Sequence, residues 1–195
     1  DRANERDARY YGSRINYYNA YGPTESTVEV AVYKYGETDW IAGTSVPIGK
    51  PVANTKIWIL DEKLRVLPVG LAGELCVQGA GLARGYLNDA VLTAEKFVAH
   101  PYEPGERLYR TGDLVRIRPS DDQLEFVGRV DMQVKIRGFR VELGEIEAEM
   151  ERHAEVVQAS VLVSRTVSTS AQLVAFVILE QSADVKNTLN AILAN

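Results

Sequence analysis

The sequence predicts an α+β fold in two parts, and three observations carry that expectation. Short strand-like runs follow one another from residue 15 to about residue 128, separated by glycines, prolines and acidic turns. Beyond Gly128 the order becomes strand, helix, strand, strand, helix. The stretch between them, GRVDMQVKIRGFRVELGEIE from Gly128 to Glu147, is broken by glycines and holds one isolated aspartate, Asp131, among the basic residues Arg129, Lys135, Arg137 and Arg140. Such a run is either a solvated strand face or a joint that swings basic groups toward an anion. The division is expected near Arg129 to Asp131, with residues 1–130 as one domain and 131–195 as the next.

Residues 1–14 are mixed in charge and show no apolar period, which reads as a surface loop or a ragged end. INYYNAY, residues 15–21, is strand-like and meets the break Gly22-Pro23. In TESTVEVAVYKY the alternation of Val28, Val30 and Val32 predicts a strand within 24–35. Residues 36–55 read as loop. KIWIL, RVLP and GELCVQG are three strands of an antiparallel meander, with DEKL as the first turn. GAGLARGYLND is irregular, and Thr93 is the expected N-cap of a short helix, TAEKFV. YRTGDLVRIRP and QLEFVGR are strands joined by the turn PSDD. Past Gly128, Val134 and Ile136 alternate with polar residues up to Gly138. Leu143, Ile146 and Met150 then share a helix face. QASVLVS and QLVAFVILE are apolar strands, and DVKNTLNAILAN is a weak helix. The helical complement is too small to cover both strands, which points to further sequence on the C-terminal side.

Hydrophobic residues make up 46% and charged residues 25%, the balance of a soluble globular protein. The net charge of -5 argues against a nucleic-acid partner. No apolar run is long enough for a membrane span, and the first residues do not form a signal peptide. The single cysteine, Cys76, lies in an apolar run and is expected as a core thiol, which fits a reducing, cytoplasmic setting. His100 and His153 stand far apart without nearby cysteines, so a structural zinc site is not expected.

Three stretches carry chemistry. NAYGPTEST, residues 19–27, gathers an amide (Asn19), an aromatic (Tyr21), a hydroxyl (Thr24) and a carboxylate (Glu25) around a Gly-Pro turn. An aromatic stacks on a base, an amide reads its edge, and a hydroxyl with a carboxylate suits phosphate and Mg2+. An ordinary Asx-type turn is the alternative. In YRTGDL, Asp113 follows Thr-Gly and precedes a strand. A carboxylate there suits the two hydroxyls of a ribose, or else it bonds its own backbone in a hairpin. In the third, the Gly128–Glu147 stretch, the lysine, arginines and Gly138 suit an anion approached closely by backbone.

NAYGPTE, GELCVQGAGLARGYL, YRTGDL and GRVDMQVKIRGFRVELGEIE, in this order, resemble the later core motifs of nonribosomal peptide synthetase adenylation domains. These belong to the ANL superfamily of adenylate-forming enzymes. The resemblance covers residues from about 15 to 180. It implies the β-rich C-terminal part of a large core, a distorted barrel or sheet, followed by a truncated small α+β C-terminal subdomain. It implies ATP, Mg2+ and an amino acid as ligands, aminoacyl-AMP and pyrophosphate as products, and transfer to the phosphopantetheine of a peptidyl carrier domain. Adjacent synthetase modules are implied partners. An MbtH-like protein, which some relatives bind near the region matching residues 85–110, stays open.

By the same resemblance Tyr21 matches the residue that stacks on adenine, and Asn19 the one at the adenine edge. Thr24 matches a residue on the α-phosphate, and Glu25 a Mg2+ ligand. Asp113 matches the ribose aspartate, Arg129 an arginine near the ribose, and Phe126 an aromatic beside adenine. Asp131 matches the hinge, Gly138 the pantetheine tunnel, and Lys135 a basic residue of the second half-reaction. Ala20, Val28 and Glu29 match pocket-lining positions; a carboxylate there favours a basic substrate side chain such as arginine, and the alternative is a Glu29 that faces solvent. No Ser/Thr/Gly-rich phosphate loop and no closing Pro-x-x-x-x-Gly-Lys string occurs. Two alternatives follow from that: a non-catalytic pseudo-adenylation scaffold, or part of an acyl- or aryl-CoA ligase.

Overall fold

The computed structural model describes residues 16–35, 46–131, 133–136, 139–164, 172–180 and 184–194. The expected loop at 1–14 and Gly138 lie outside them. Two compact units are present, Arg2–Val130 and Asp131–Asn195.

In the first unit Tyr18–Tyr21 (β1), Ala31–Lys34 (β2) and Lys50–Pro51 (β3) form an antiparallel sheet in that order. A second sheet holds Thr55–Leu60 (β4), Gly73–Gly79 (β5), Phe97–Ala99 (β6), Arg107–Ile117 (β7) and Leu124–Arg129 (β8). Every pairing in it is antiparallel. The 11 residues of β7 give it room for three partners. On one edge it takes β5, and on the other β6 beside Arg107–Tyr109 and β8 beside Asp113–Ile117. β5 is buried on both faces, which is why Leu75, Cys76 and Val77 are consecutive apolar residues, and the buried polar residues Glu74 and Gln78 flank them. Leu75 and Val77 pack with Ile59, Val115, Leu124, Ala31 of the first sheet and Val30 just before it. Cys76 packs on the opposite face with Leu60 and Leu108.

Several local expectations are corrected. The strand within 24–35 starts only at Ala31. Thr24–Ser26 is a 3-10 turn, and Thr27 (φ 60°) and Val28 (φ 67°) are left-handed. The Ser26 hydroxyl donates to the Pro23 carbonyl and the Thr27 hydroxyl to the Gly81 carbonyl. These side chain–backbone bonds offer the chain an alternative to the ladder and override the valine alternation. RVLP makes only an isolated bridge, Leu60 to Val66. The short helix, α1, spans Ala90–Lys96 and is capped by Asp89, whose carboxylate accepts from the Leu92 N–H at 2.9 Å. Thr93 is inside it and donates to the Asp89 carbonyl. Aspartate caps a helix as well as threonine does, so the earlier cap wins. Asp113 is not at a strand end but in the interior of β7.

In the second unit Val134–Ile136 (β9) and Phe139–Val141 (β10) pair antiparallel, and Leu143–Glu151 (α2) follows. Val156–Ser164 (β11) and Gln172–Leu179 (β12) pair antiparallel, and Val185–Ala194 (α3) closes the described chain. Glu147 and Glu151 of α2 accept from the Val161 and Ala159 N–H groups at 2.7 and 3.0 Å. Two edge donors of β11 are thereby satisfied by side chains rather than by another strand. β12 leaves Phe176 and Ile178 exposed. No described helix is long and apolar enough to cross a membrane.

Cys76 is fully buried, and burial pushes its thiol from the ordinary 9.0 up to about 12. The native protein is therefore expected to resist iodoacetamide at pH 8 and to react once denatured. The folded-state value is the higher one. Its contribution to stability is thus complete below pH 9 and is lost as pH rises toward 12. A fall in urea midpoint across that interval, smaller in Cys76→Ala, checks the sign.

Candidate functional site

The site is built on a bulge. Cys76 pairs with Arg110 and Glu74 with Leu114, so three residues of β7, Thr111, Gly112 and Asp113, stand opposite the single Leu75. Gly112 takes φ 73°, a conformation that suits glycine. A bulge takes donors out of the ladder, and side chains replace the lost partners. The Gly112 N–H donates to Glu74 Oε1 at 3.1 Å, and the Asp113 N–H donates to the Thr111 hydroxyl at 3.0 Å. The Thr111 hydroxyl in turn donates to the Leu75 carbonyl at 2.7 Å. Arg110 closes on Glu74 Oε2 through Nε and Nη2, at 3.0 and 2.7 Å. That bond raises the affinity of the guanidinium for its proton.

β8 carries a second irregularity. Asp113 pairs with Arg129 and Val115 with Phe126, so the spare residue Val127 re-aims Arg129 toward Asp113. Arg129 Nη1 donates to Asp113 Oδ1 at 2.6 Å. The Tyr21 hydroxyl donates to Asp113 Oδ2. Burial first, then the charge of Asp113 and this bond, hold the Tyr21 hydroxyl protonated far above the usual phenol range. Tyr21 and Phe126 both pack against the main core.

A second cluster surrounds Glu25. The Tyr86 hydroxyl donates to Glu25 Oε1 at 2.7 Å and lies 3.5 Å from the Tyr109 hydroxyl. Burial, then these two neighbours, push the Tyr86 hydroxyl well up. The Ala83 N–H donates to the Glu25 carbonyl at 2.8 Å, so the loop after β5 clasps the 3-10 turn.

The sequence-derived residues are thus partly gathered. Tyr21, Asp113 and Arg129 are bonded together. Asn19 instead donates to the Pro47 carbonyl at 2.7 Å. Thr24, Val28 and Glu29 are exposed, as is Ala20 in β1. In the second unit Asp131 Oδ1 accepts from the Gln133 N–H at 3.2 Å, and Lys135 lies in β9 opposite Arg140. Glu74, Tyr86, Arg110 and Thr111 were not expected here. All four lie inside two quoted motifs, GELCVQGAGLARGYL and YRTGDL. For Glu74, Arg110 and Thr111 the available signal is a polar side chain inside a strand-like run; Tyr86 lies in the irregular stretch after β5, where no such signal exists. Among the described residues no group of three or more His, Cys, Asp or Glu gathers as a metal cluster.

Residues 3–87 match the family described as AMP-binding enzyme. Bacitracin synthase 3 of Bacillus licheniformis is 49% identical over 173 residues, 89% of this chain and 3% of that protein. A solved structure of PA1221, an NRPS protein containing adenylation and PCP domains, has a TM-score of 0.78 at 34% identity, covering 94% of this chain and 37% of the other. Holo-AB3403, a four-domain nonribosomal peptide synthetase bound to AMP and glycine, has a TM-score of 0.54 at 41% identity over 88% of this chain and 13% of its own. The chain therefore spans a small part of the relatives it matches. With these matches along nearly all of its length, the chain belongs with the AMP-binding enzymes, as a segment of the adenylation-domain type of nonribosomal peptide synthetases.

Proposed function

We propose that the chain works as part of an amino-acid-activating adenylation domain, which joins an amino acid to ATP, releases pyrophosphate and passes the aminoacyl group to a carrier phosphopantetheine. The observation that carries this reading is the convergence of Tyr21, Asp113 and Arg129. A carboxylate offers about four lone-pair positions. Tyr21 and Arg129 each use one, on different oxygens. An open position is left on each oxygen, the arrangement that two neighbouring ribose hydroxyls need. Arg129 orients the carboxylate, and Tyr21 and Phe126 supply aromatic surface for a base. Asn19 reads the base edge when it leaves Pro47.

The family implies Mg2+, and the donor set fits it. Glu25 offers a carboxylate oriented by Tyr86, with Thr24 exposed beside it. One carboxylate together with substrate phosphates is a common way to hold this ion. When bound, Mg2+ neutralises phosphate charge. Thr24 donates to the α-phosphate, and Ala20, Val28 and Glu29 line the amino-acid pocket, with Glu29 favouring a basic side chain. Asp131, at the junction of residues 1–130 and 131–195, is the hinge, Lys135 serves the second half-reaction, and Gly138 lines the pantetheine path. Residues 85–110 are the surface offered to an MbtH-like protein.

The test is ATP–pyrophosphate exchange by the full-length protein with each amino acid in turn. Amino-acid-dependent exchange is expected, with arginine among the best substrates, and none from the 195-residue chain alone. Activity confined to aryl or fatty acids with CoA would move the chain to the acyl-CoA ligases. Absence of any exchange from well-folded full-length protein would leave the scaffold reading.

A further inference from the structure

We propose that Glu74 is a positioning residue for the nucleotide: its carboxylate holds the β7 bulge that aims Asp113. The inference rests on the ribose role given to Asp113 above.

Glu74 is 7% exposed, and both of its oxygens are engaged. Burying a carboxylate in a strand of otherwise apolar environment is costly unless it is paired. Arg110 supplies the pairing charge through two nitrogens on one oxygen. The other oxygen is spent on a backbone donor, the Gly112 N–H, at the point where β7 leaves the ladder of β5. If that bond is lost, the N–H of a buried glycine has no ladder partner within the bulge, and the cheapest remedy is for Thr111–Asp113 to slide back toward a regular register. Asp113 is the next residue, and its own N–H depends on the Thr111 hydroxyl in the same bulge. The Gly112 carbonyl also accepts from the Val130 N–H at 2.8 Å, so a shift of Gly112 reaches the end of β8, which carries Arg129. Glu74 lies behind the strand that presents the site. It acts through Asp113 and its pair, not by touching the ligand.

The neutral isostere separates this role from bulk support. Glu74→Gln keeps the shape and an acceptor but loses the charge that Arg110 answers. In the full-length protein it is expected to raise the apparent KM for ATP about three- to tenfold with kcat within about twofold, the size of one weakened charged hydrogen bond. Arg110→Met perturbs the same carboxylate from its other side and is expected to shift KM for ATP in the same direction. The decisive measurement is a double-mutant cycle with Asp113→Asn. If Glu74 acts through Asp113, Glu74→Gln adds little to the KM of Asp113→Asn. Full additivity would overturn the proposal, as would a Glu74→Gln protein of unchanged KM for ATP. Thermal unfolding of each variant guards against misfolding; if Glu74→Gln is not folded, the cycle is run with Arg110→Met, and additivity there counts equally against it. The ribose role fails separately, through an Asp113→Asn protein of unchanged KM for ATP.

Discussion

Asp113→Asn is expected to raise the apparent KM for ATP about a hundredfold in the full-length protein. The substitution keeps the volume and one acceptor oxygen. It removes the charge that Arg129 meets at 2.6 Å and replaces one acceptor oxygen by an amide donor. Of the two open positions argued for a ribose, one is lost. The Tyr21 hydroxyl then faces either a weaker acceptor or a competing donor. A hydrogen bond to a charged group contributes about 1.5–3 kcal/mol, and two such bonds are weakened together, so about two decades in apparent affinity are at stake. Because Asp113 is distant in role from the amino acid, KM for the amino acid is expected to stay within about threefold. A 2′-deoxy-ATP comparison adds a check: the penalty for removing that hydroxyl is large for the native protein and small for Asp113→Asn. Equal penalties in both would sink the ribose assignment.

The second large effect is on stability. Gly49 has φ 91°, and a Cβ there would come within 2.0 Å of the Val32 carbonyl oxygen and 2.3 Å of the Tyr33 nitrogen. Those atoms are backbone and cannot rotate away. The same residue links the two sheets of the first unit. Its carbonyl accepts from the Leu124 N–H at 2.9 Å, and the neighbouring Ile48 N–H donates to the Leu124 carbonyl at 2.8 Å. Gly49→Ala therefore pushes the Ile48–Gly49 segment off β2 and strains its bonds to β8. A loss of about 4 kcal/mol or more is expected, because the clash with fixed backbone atoms adds to the roughly 1–3 kcal/mol of a strained backbone position. Gly105 provides the control, since it has φ 88° but nothing within 4 Å of an added Cβ. Gly105→Ala carries only the conformational cost, about 1–2 kcal/mol. Urea unfolding with an unchanged m-value reads both. Equal losses would show that the close approach at Gly49 relaxes without cost.

Much of this molecule was legible in the chain because its strands announce themselves by period. GELCVQG is β5 residue for residue, and QLEFVGR differs from β8 only at its first residue. The buried thiol followed from its neighbours. What failed was local chemistry competing with period. Around Thr24–Val28 the hydroxyls satisfy the backbone themselves, and alternating valines could not report it. The site was legible as a set of residue types in short motifs, and Tyr21, Asp113 and Arg129 do converge. Their support was not. Glu74 and Gly112 are 38 residues apart, and their bond depends on the registers of two strands, which no local pattern encodes. Tyr86 and Glu25 are separated by 61 residues for the same reason.

The surplus in β7 has a consequence for how the gene can vary in length. Three residues opposite one is an excess of two, and two is the repeat of a strand. Leu108 before the bulge faces Cys76 and Leu60, while Val115 after it faces Leu75 and Val77, so the alternation runs through unbroken. Loss of one codon between Arg110 and Leu114 would turn Val115 and Ile117 to the wrong side and empty the core. Loss of two codons would leave every later side chain on its own side and erase only the bulge. At this point in the gene, the fold and the bulge that aims Asp113 are inherited separately: the first depends on the parity of the codon count and the second on the count itself.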